Sequence, residues 1–206
     1  MMLNDMRQKV AETGRQIYQM GLVRAYSGNV SMRDPENGLI CIKPSGVPWM
    51  TIQAEDVVVI DVDGRIVDGK RKPSIETPMH TSIYREFPEW LAVVHSHSLY
   101  ATGFACSLRP IPPICINSVE IGGEVPCAPY CPPGSKELAV TVSKYMRGRQ
   151  VILLGHHGAL CCAKTLDDAV YLNTILEDIA HLALIRQTLG SQAQLTSEEL
   201  AALSAI

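Results

Sequence analysis

Leu91-Ala92-Val93-Val94-His95-Ser96-His97 and Val151-Ile152-Leu153-Leu154-Gly155-His156-His157-Gly158 share one design: an apolar, largely β-branched or leucine run that ends on histidines. Runs of this length and composition read as buried strands. Side chains alternate along a strand, so His95 and His97, two positions apart, project from one face. Imidazoles delivered together from a strand end are a common way to hold a transition metal. A third nitrogen from the second cluster would complete a catalytic type of site, with one coordination position left open for substrate. The plainer alternative is a set of polar histidines at a loop-rich surface. That four of the six histidines fall into two such clusters favours metal.

Outward from these strands, a helix is expected over 5–20, with Val10, Ile17 and Met20 on its apolar stripe and Gly21 ending it. Strands are expected over 39–42 and 57–61, the second followed by a hairpin signal at Asp63-Gly64 leading into 65–67. A helix over 78–87 has Thr77 as candidate cap and proline in its first turn. Another is expected over 135–146, capped by Ser135, and the longest over 165–189, with Leu166, Ala169, Val170, Asn173, Leu176, Ile179 and Leu182 near helical spacing. Strands outnumber crossover helices and come in hairpins. The expected fold is therefore a single α/β domain (α+β-like) over 1–206, with a central, mostly antiparallel sheet flanked by helices.

With 206 residues, 47% hydrophobic and 19% charged, the chain can bury a sizeable core and is not disordered. A net charge of −3 without a basic run, and only 5% aromatics, speak against nucleic acid or an anionic membrane as partner. Residues 1–20 lack the apolar core of a signal peptide, and no stretch is long enough to span a bilayer. Seven cysteines without zinc-ribbon spacing fit a reducing cytoplasm and read as small apolar core residues.

Three turns carry groups suited to an anion: Gly28-Asn29, Ser45-Gly46 with Lys43 nearby, and Pro73-Ser74 just ahead of a helix N-terminus. Each alone is simply a turn; together they could cradle a phosphate. Glu76 stands beside Ser74 and Thr77. It reads either as a metal ligand or general base, or as an acid favoured by the helix dipole.

In order along the chain stand Ser-Gly-Asn-Val-Ser at 27–31, Lys-Pro-Ser-Gly-Val at 43–47, Pro-Ser-Ile-Glu at 73–76, Val-His-Ser-His at 94–97, Pro-Cys-Ala-Pro-Tyr at 126–130 and His-His-Gly at 156–158. With these motifs the sequence resembles the class II aldolase/adducin family. The resemblance implies a homo-oligomer, a tetramer with active sites at subunit interfaces, acting on a small sugar phosphate. It implies His95, His97 and His157 as metal ligands, with His156 a non-ligand neighbour. The metal is usually zinc (Zn2+), with Mn2+, Co2+ or Fe2+ allowed by the same donors. Glu76 matches a carboxylate that serves as ligand and acid/base. Gly28, Asn29, Ser45, Gly46 and Ser74 match positions that hold the substrate phosphate, and Lys43 matches a lysine of the family's epimerases.

The activity so implied is retro-aldol cleavage of a ketose 1-phosphate to dihydroxyacetone phosphate and an aldehyde, through a metal-stabilised enediolate. A pentulose-5-phosphate 4-epimerase, or a dehydratase or decarboxylase on the same metal site, is the alternative. A non-catalytic scaffold of the adducin type is disfavoured by the intact histidines and Glu76. Ile75 stands where the family often has a second phosphate-binding serine, and stretch 113–117 lacks the family's interface tyrosine. Glu120 lands near an acid/base aspartate of the epimerases and either fills this gap or is a solvated loop acid.

Overall fold

The computed structural model describes residues 1–203 and 205. Eight strands form one sheet: β1 (Asn29–Arg33), β2 (Ile40–Ile42), β3 (Val58–Ile60), β4 (Ile66–Asp68), β5 (Ala92–Ser96), β6 (Cys127–Ala128), β7 (Val151–Leu154) and β8 (Gly158–Ala163). Their spatial order is β4-β3-β2-β1-β5-β8-β7-β6. Every pairing is antiparallel except β6 with β7. Among the described residues six α-helices accompany it: α1 (Asn4–Gln19), α2 (Thr77–Glu86), α3 (Leu99–Cys106), α4 (Lys136–Tyr145), α5 (Leu166–Thr188) and α6 (Ser197–Leu203), with one 3-10 turn at Ile116–Val119. The expected α/β class with a mostly antiparallel sheet is the fold observed.

Both faces of the sheet are covered, which is why its central strands read as continuous apolar runs and not as alternating ones. Ala92 and Val94 of β5, Val151 and Leu153 of β7, and Ala159 and Cys161 of β8 join a core with α1, α3 and α5. Their alternates Val93, Ile152, Leu154, Leu160 and Cys162 join a second core under α2 and α4. By the same alternation His95 faces the side of α2, and Glu76 occupies the position that caps that helix.

Several expectations need correction. Thr77 is the first residue of α2 and not its cap; its hydroxyl donates instead to the Ser74 carbonyl at 2.7 Å. The apolar stripes run past the true core: Met20 and Leu182 are exposed, whereas Ala180 and Ala183 are buried. Only Cys41, Cys161 and Cys162 are core residues, while Cys106 is exposed and Cys115, Cys127 and Cys131 are half-buried. Strand β8 and helix α6 were not expected. No described helix is long and apolar enough to cross a membrane.

Gly14 of α1 lies against the indole of Trp49, which is fully buried and donates from Nε1 to the Ser27 carbonyl at 2.7 Å. A Cβ on residue 14 would stand 2.3 Å from Trp49 Cζ3. Gly14→Ala is therefore predicted to destabilise the protein by about 1–3 kcal/mol through overpacking. That loss exceeds the roughly 1 kcal/mol an alanine adds to a helix interior. The urea midpoint measures it; a midpoint at or above wild type would refute the rigid Trp49 contact.

Candidate metal centre and anion pocket

β5 is the middle of the site because its two neighbours bring the remaining groups to it. Asn29 of β1 pairs directly with His95, and Ser96 of β5 pairs with Ala159 of β8. β7 and β8 are joined by a turn tight enough that Leu154 pairs with Gly158, and the turn carries His156 and His157. His156 adopts φ +55°, a left-handed conformation that side chains rarely take. Gly158 has no alternative: a Cβ there would lie 2.3 Å from the Ser96 carbonyl oxygen and 3.3 Å from both His95 and His97. Gly28 is held equally closely, with φ +72° and the His95 carbonyl oxygen 2.6 Å from where its Cβ would stand.

His95, His97 and His157 converge, with candidate ligand atoms all within 4.8 Å of one another. His95 Nδ1 donates to the Ala159 carbonyl at 2.8 Å, so in the neutral ring Nε2 keeps its lone pair. That Nε2 stands 3.0 Å from His97 Nε2 and 3.1 Å from Glu76 Oε2. Glu76 Oε1 lies 3.2 Å from His157 Nε2 and makes no hydrogen bond. With the rings neutral, electron pairs face one another here, so the place suits a cation, a proton on His95 or a metal ion. Three imidazoles and a carboxylate fit a divalent transition metal.

The electrostatics agree. Burial alone would raise the Glu76 pKa, but His95, His157 and the Asn29 amide outweigh it and hold the carboxyl well below its usual range. His95 is shifted upward because the Glu76 carboxylate overcomes the burial that opposes charge. Burial, reinforced by His95, pushes His97 down to about 3 and His157 down to about 4. Those two rings are therefore neutral, as ligands must be, across the ordinary pH range.

Beside the histidines opens a cavity of about 340 Å³ lined by Gly28, Asn29, Lys43, Ser45, Gly46, Ser74, Glu76, His97 and His157, among others. Backbone bonds sew two of its turns together: Ser45 N donates to the Lys72 carbonyl at 2.9 Å, and Ser74 N to the Lys43 carbonyl at 3.0 Å. Lys43 is buried, with Nζ 4.6 Å from the Trp49 ring centre and donating only to the carbonyls of Pro44 and Tyr26. Burial pushes its pKa down to about 8. It has no carboxylate partner among the described residues.

The structure thus brings together every expected site residue except Glu120. Glu120 lies exposed just after the 3-10 turn, where the Tyr171 hydroxyl donates to its carboxylate. Ile75 is exposed at the cavity rim. Tyr26 and Pro133 also line the cavity and were not expected; Tyr26 immediately precedes the Ser27-Gly28 turn, which was its one signal. His80, buried behind Asn29, was likewise missed, although it lies four residues after Glu76, on the same face of α2.

Residues 8–184 match the family described as the class II aldolase and adducin N-terminal domain. A 5-deoxy-D-ribulose 1-phosphate aldolase of Bacillus thuringiensis serovar kurstaki is 32% identical over 200 residues, covering 97% of this chain and 94% of its own. An L-fuculose phosphate aldolase of Haemophilus influenzae is 34% identical over 95% of this chain and 89% of its own. The solved structure of an L-fuculose 1-phosphate aldolase superposes with a TM-score of 0.94 at 33% identity, covering 98% of this chain and 95% of the other. Motifs, fold and full-length similarity agree: the chain belongs to the class II aldolase and adducin family, as one of its lyases.

Proposed function

We propose that the protein is a divalent-metal-dependent aldolase that cleaves a ketose 1-phosphate to dihydroxyacetone phosphate and an aldehyde. The observation that carries this reading is the single cavity in which a buried lysine without a carboxylate partner among the described residues and three anion-friendly turns adjoin the histidine cluster and Glu76. The 1-phosphate in the relatives' names supports the substrate class. His95, His97 and His157 would hold the metal, zinc best matching three imidazoles, with Glu76 as a further ligand at rest. The bound cation supplies Lewis-acid stabilisation of negative charge on the substrate's carbonyl oxygen.

The chain's own groups do the remainder. Lys43, the hydroxyls of Ser45 and Ser74 and the turns at Gly28-Asn29 and Gly46 take the phosphate. The C4 hydroxyl loses its proton, the C3–C4 bond breaks, and the electron pair remains on the three-carbon fragment as an enediolate. Glu76, having first taken up a proton from solvent, delivers it to C3, giving dihydroxyacetone phosphate, and is left as the carboxylate. For the C4 hydroxyl proton we assign Glu120, supplied by a neighbouring copy of the chain, since its own copy's cavity does not contain it. Exposed Leu182, Leu184, Ile185 and Leu189 on or just past α5 support association into a homo-oligomer, a tetramer by family resemblance.

Three outcomes check this reading. His97→Ala is expected to abolish metal occupancy, measured by elemental analysis, and turnover, while leaving a folded protein; retained activity would remove the assignment. Glu76→Gln is expected to keep the metal and lose about 10²–10⁴ in kcat, because an amide cannot carry the proton. Release of dihydroxyacetone phosphate from ketose 1-phosphates, coupled to NADH oxidation, is the readout. Interconversion of pentulose 5-phosphates without triose phosphate would mark an epimerase instead, and loss of water or carbon dioxide a dehydratase or decarboxylase. Finally, Lys43 carries its charge below about pH 8 and loses it above. The kcat/KM for a phosphorylated substrate is expected to fall as pH rises through that value, and Lys43→Arg to remove the inflection, since a guanidinium does not titrate there.

A further inference from the structure

We infer that His80 is a positioning residue: acting through Asn29, it tethers one oxygen of Glu76 and leaves the other free to face the reaction. The inference rests on the reading of Glu76 as the acid/base. Its basis is a chain of buried polar side chains between β1 and α2. Asn29 Nδ2 lies 2.8 Å from Glu76 Oε2, Asn29 Oδ1 meets His80 Nε2, His80 Nδ1 is 2.7 Å from Ser31 Oγ, and Ser31 Oγ is 2.8 Å from the Tyr84 hydroxyl. Ser31 and His80 have no exposed surface, and Tyr84 is 2% exposed.

Only one direction of hydrogen bonding satisfies every member. An ionised carboxylate accepts and cannot donate, so Asn29 must turn its NH₂ to Glu76. Its carbonyl oxygen then faces His80, whose Nε2 must carry the hydrogen. Nδ1 of the neutral ring therefore accepts from the Ser31 hydroxyl, and Ser31 in turn accepts from Tyr84. Burial keeps His80 neutral, lowering its pKa to about 3. Reversing the chain would aim the Asn29 carbonyl at a carboxylate in an apolar setting, which costs more than either bond returns.

The far end of this chain explains why it is more than core filling. Glu76 Oε2 is held by Asn29, whereas Oε1 makes no hydrogen bond and faces His157 Nε2 at 3.2 Å. A carboxylate so tethered presents one defined oxygen when it leaves a metal and moves a proton. Polar groups placed where valine or isoleucine would pack need such a return to be retained.

The test uses two near-isosteric variants. The amide nitrogen of glutamine falls near the position of histidine Nε2, and that of asparagine near Nδ1. His80→Gln thus keeps the donor to Asn29, whereas His80→Asn loses it. In cobalt-loaded protein, His80→Gln is expected to preserve the visible absorption bands and the rate of metal withdrawal by EDTA. His80→Asn is expected to shift the bands, release metal about tenfold faster, and lower kcat with KM nearly unchanged. Identical spectra and release rates in both variants, with equal losses of Tm, would reduce His80 to packing. A measurement on the unsubstituted, metal-free protein guards against misfolded variants: ¹⁵N-histidine NMR should find His80 neutral with its proton on Nε2. A proton on Nδ1, or a charged ring, overturns the inference. Full turnover by Glu76→Gln would remove the acid/base reading while leaving these tautomer and spectral results standing.

Discussion

The approach of β8 to β5 at Gly158 is the contact on which the rest of the site depends. No side chain fits between this residue and the Ser96 carbonyl, and the hydrogen bond from His95 Nδ1 to Ala159 forms only because the two strands lie so close. That bond fixes the His95 tautomer and turns its Nε2 toward His97 and Glu76. The same closeness leaves no slack in the turn before it, so His156 takes a left-handed conformation and His157 is delivered to the cluster. Register, tautomer and ligand direction thus follow from one absent methyl group.

The two-sided burial of the sheet supplies the other half of the arrangement. A sheet with one wet face would leave His95 in water, where three imidazoles and a carboxylate meet little penalty for standing apart. His95 and Glu76 are buried and His97 and His157 half-buried, so unpaired electron donors there are costly and a cation among them is correspondingly favoured. Glu76 owes its place to the start of α2, whose N-terminal dipole favours an anion there. Rigid strands carry the histidines, a helix end carries the acid, and turns carry the anion groups.

How much of this was readable in the sequence differed by element. The histidine strands, the Ser135 cap of α4 and the long α5 were legible because each carries a local signal: a β-branched run, a hydroxyl that accepts from Leu138 N, a helical period. Strand β8 was not, because Gly-Ala-Leu-Cys-Cys-Ala is buried on both faces and shows neither alternation nor β-branching. Thr77 looks like a cap from its residue type, but the Ser74 carbonyl claims its hydroxyl and moves the helix boundary by one residue. The candidate site residues stand in ordered motifs, whereas their grouping into one cavity depends on pairings such as Pro44 with Pro73 that no local pattern encodes. His80 and Tyr26 were missed for the same reason. Each is ordinary in its own segment and gains meaning only from what packs across from it.

Charge balance connects the anion pocket to the histidine cluster. On the proposed reading, a phosphate dianion entering the cavity would bring two negative charges close to Glu76, which is held ionised by its neighbours. With one helix N-terminus and neutral hydroxyls alone, that approach would be repulsive at this degree of burial. On the proposed reading, Lys43 and a divalent cation bring three positive charges against the three negative ones, and each partner is then needed to keep the others charged. Lys43 alone in its pocket is pushed toward neutrality by burial, and a bound phosphate would restore its charge. Substrate and metal binding are in that case linked through electrostatics without any movement of the backbone. On that reading the linkage also gives a physical reason for a buried lysine without a carboxylate partner among the described residues: pairing it permanently with a carboxylate would have stabilised the empty protein at the expense of the complex.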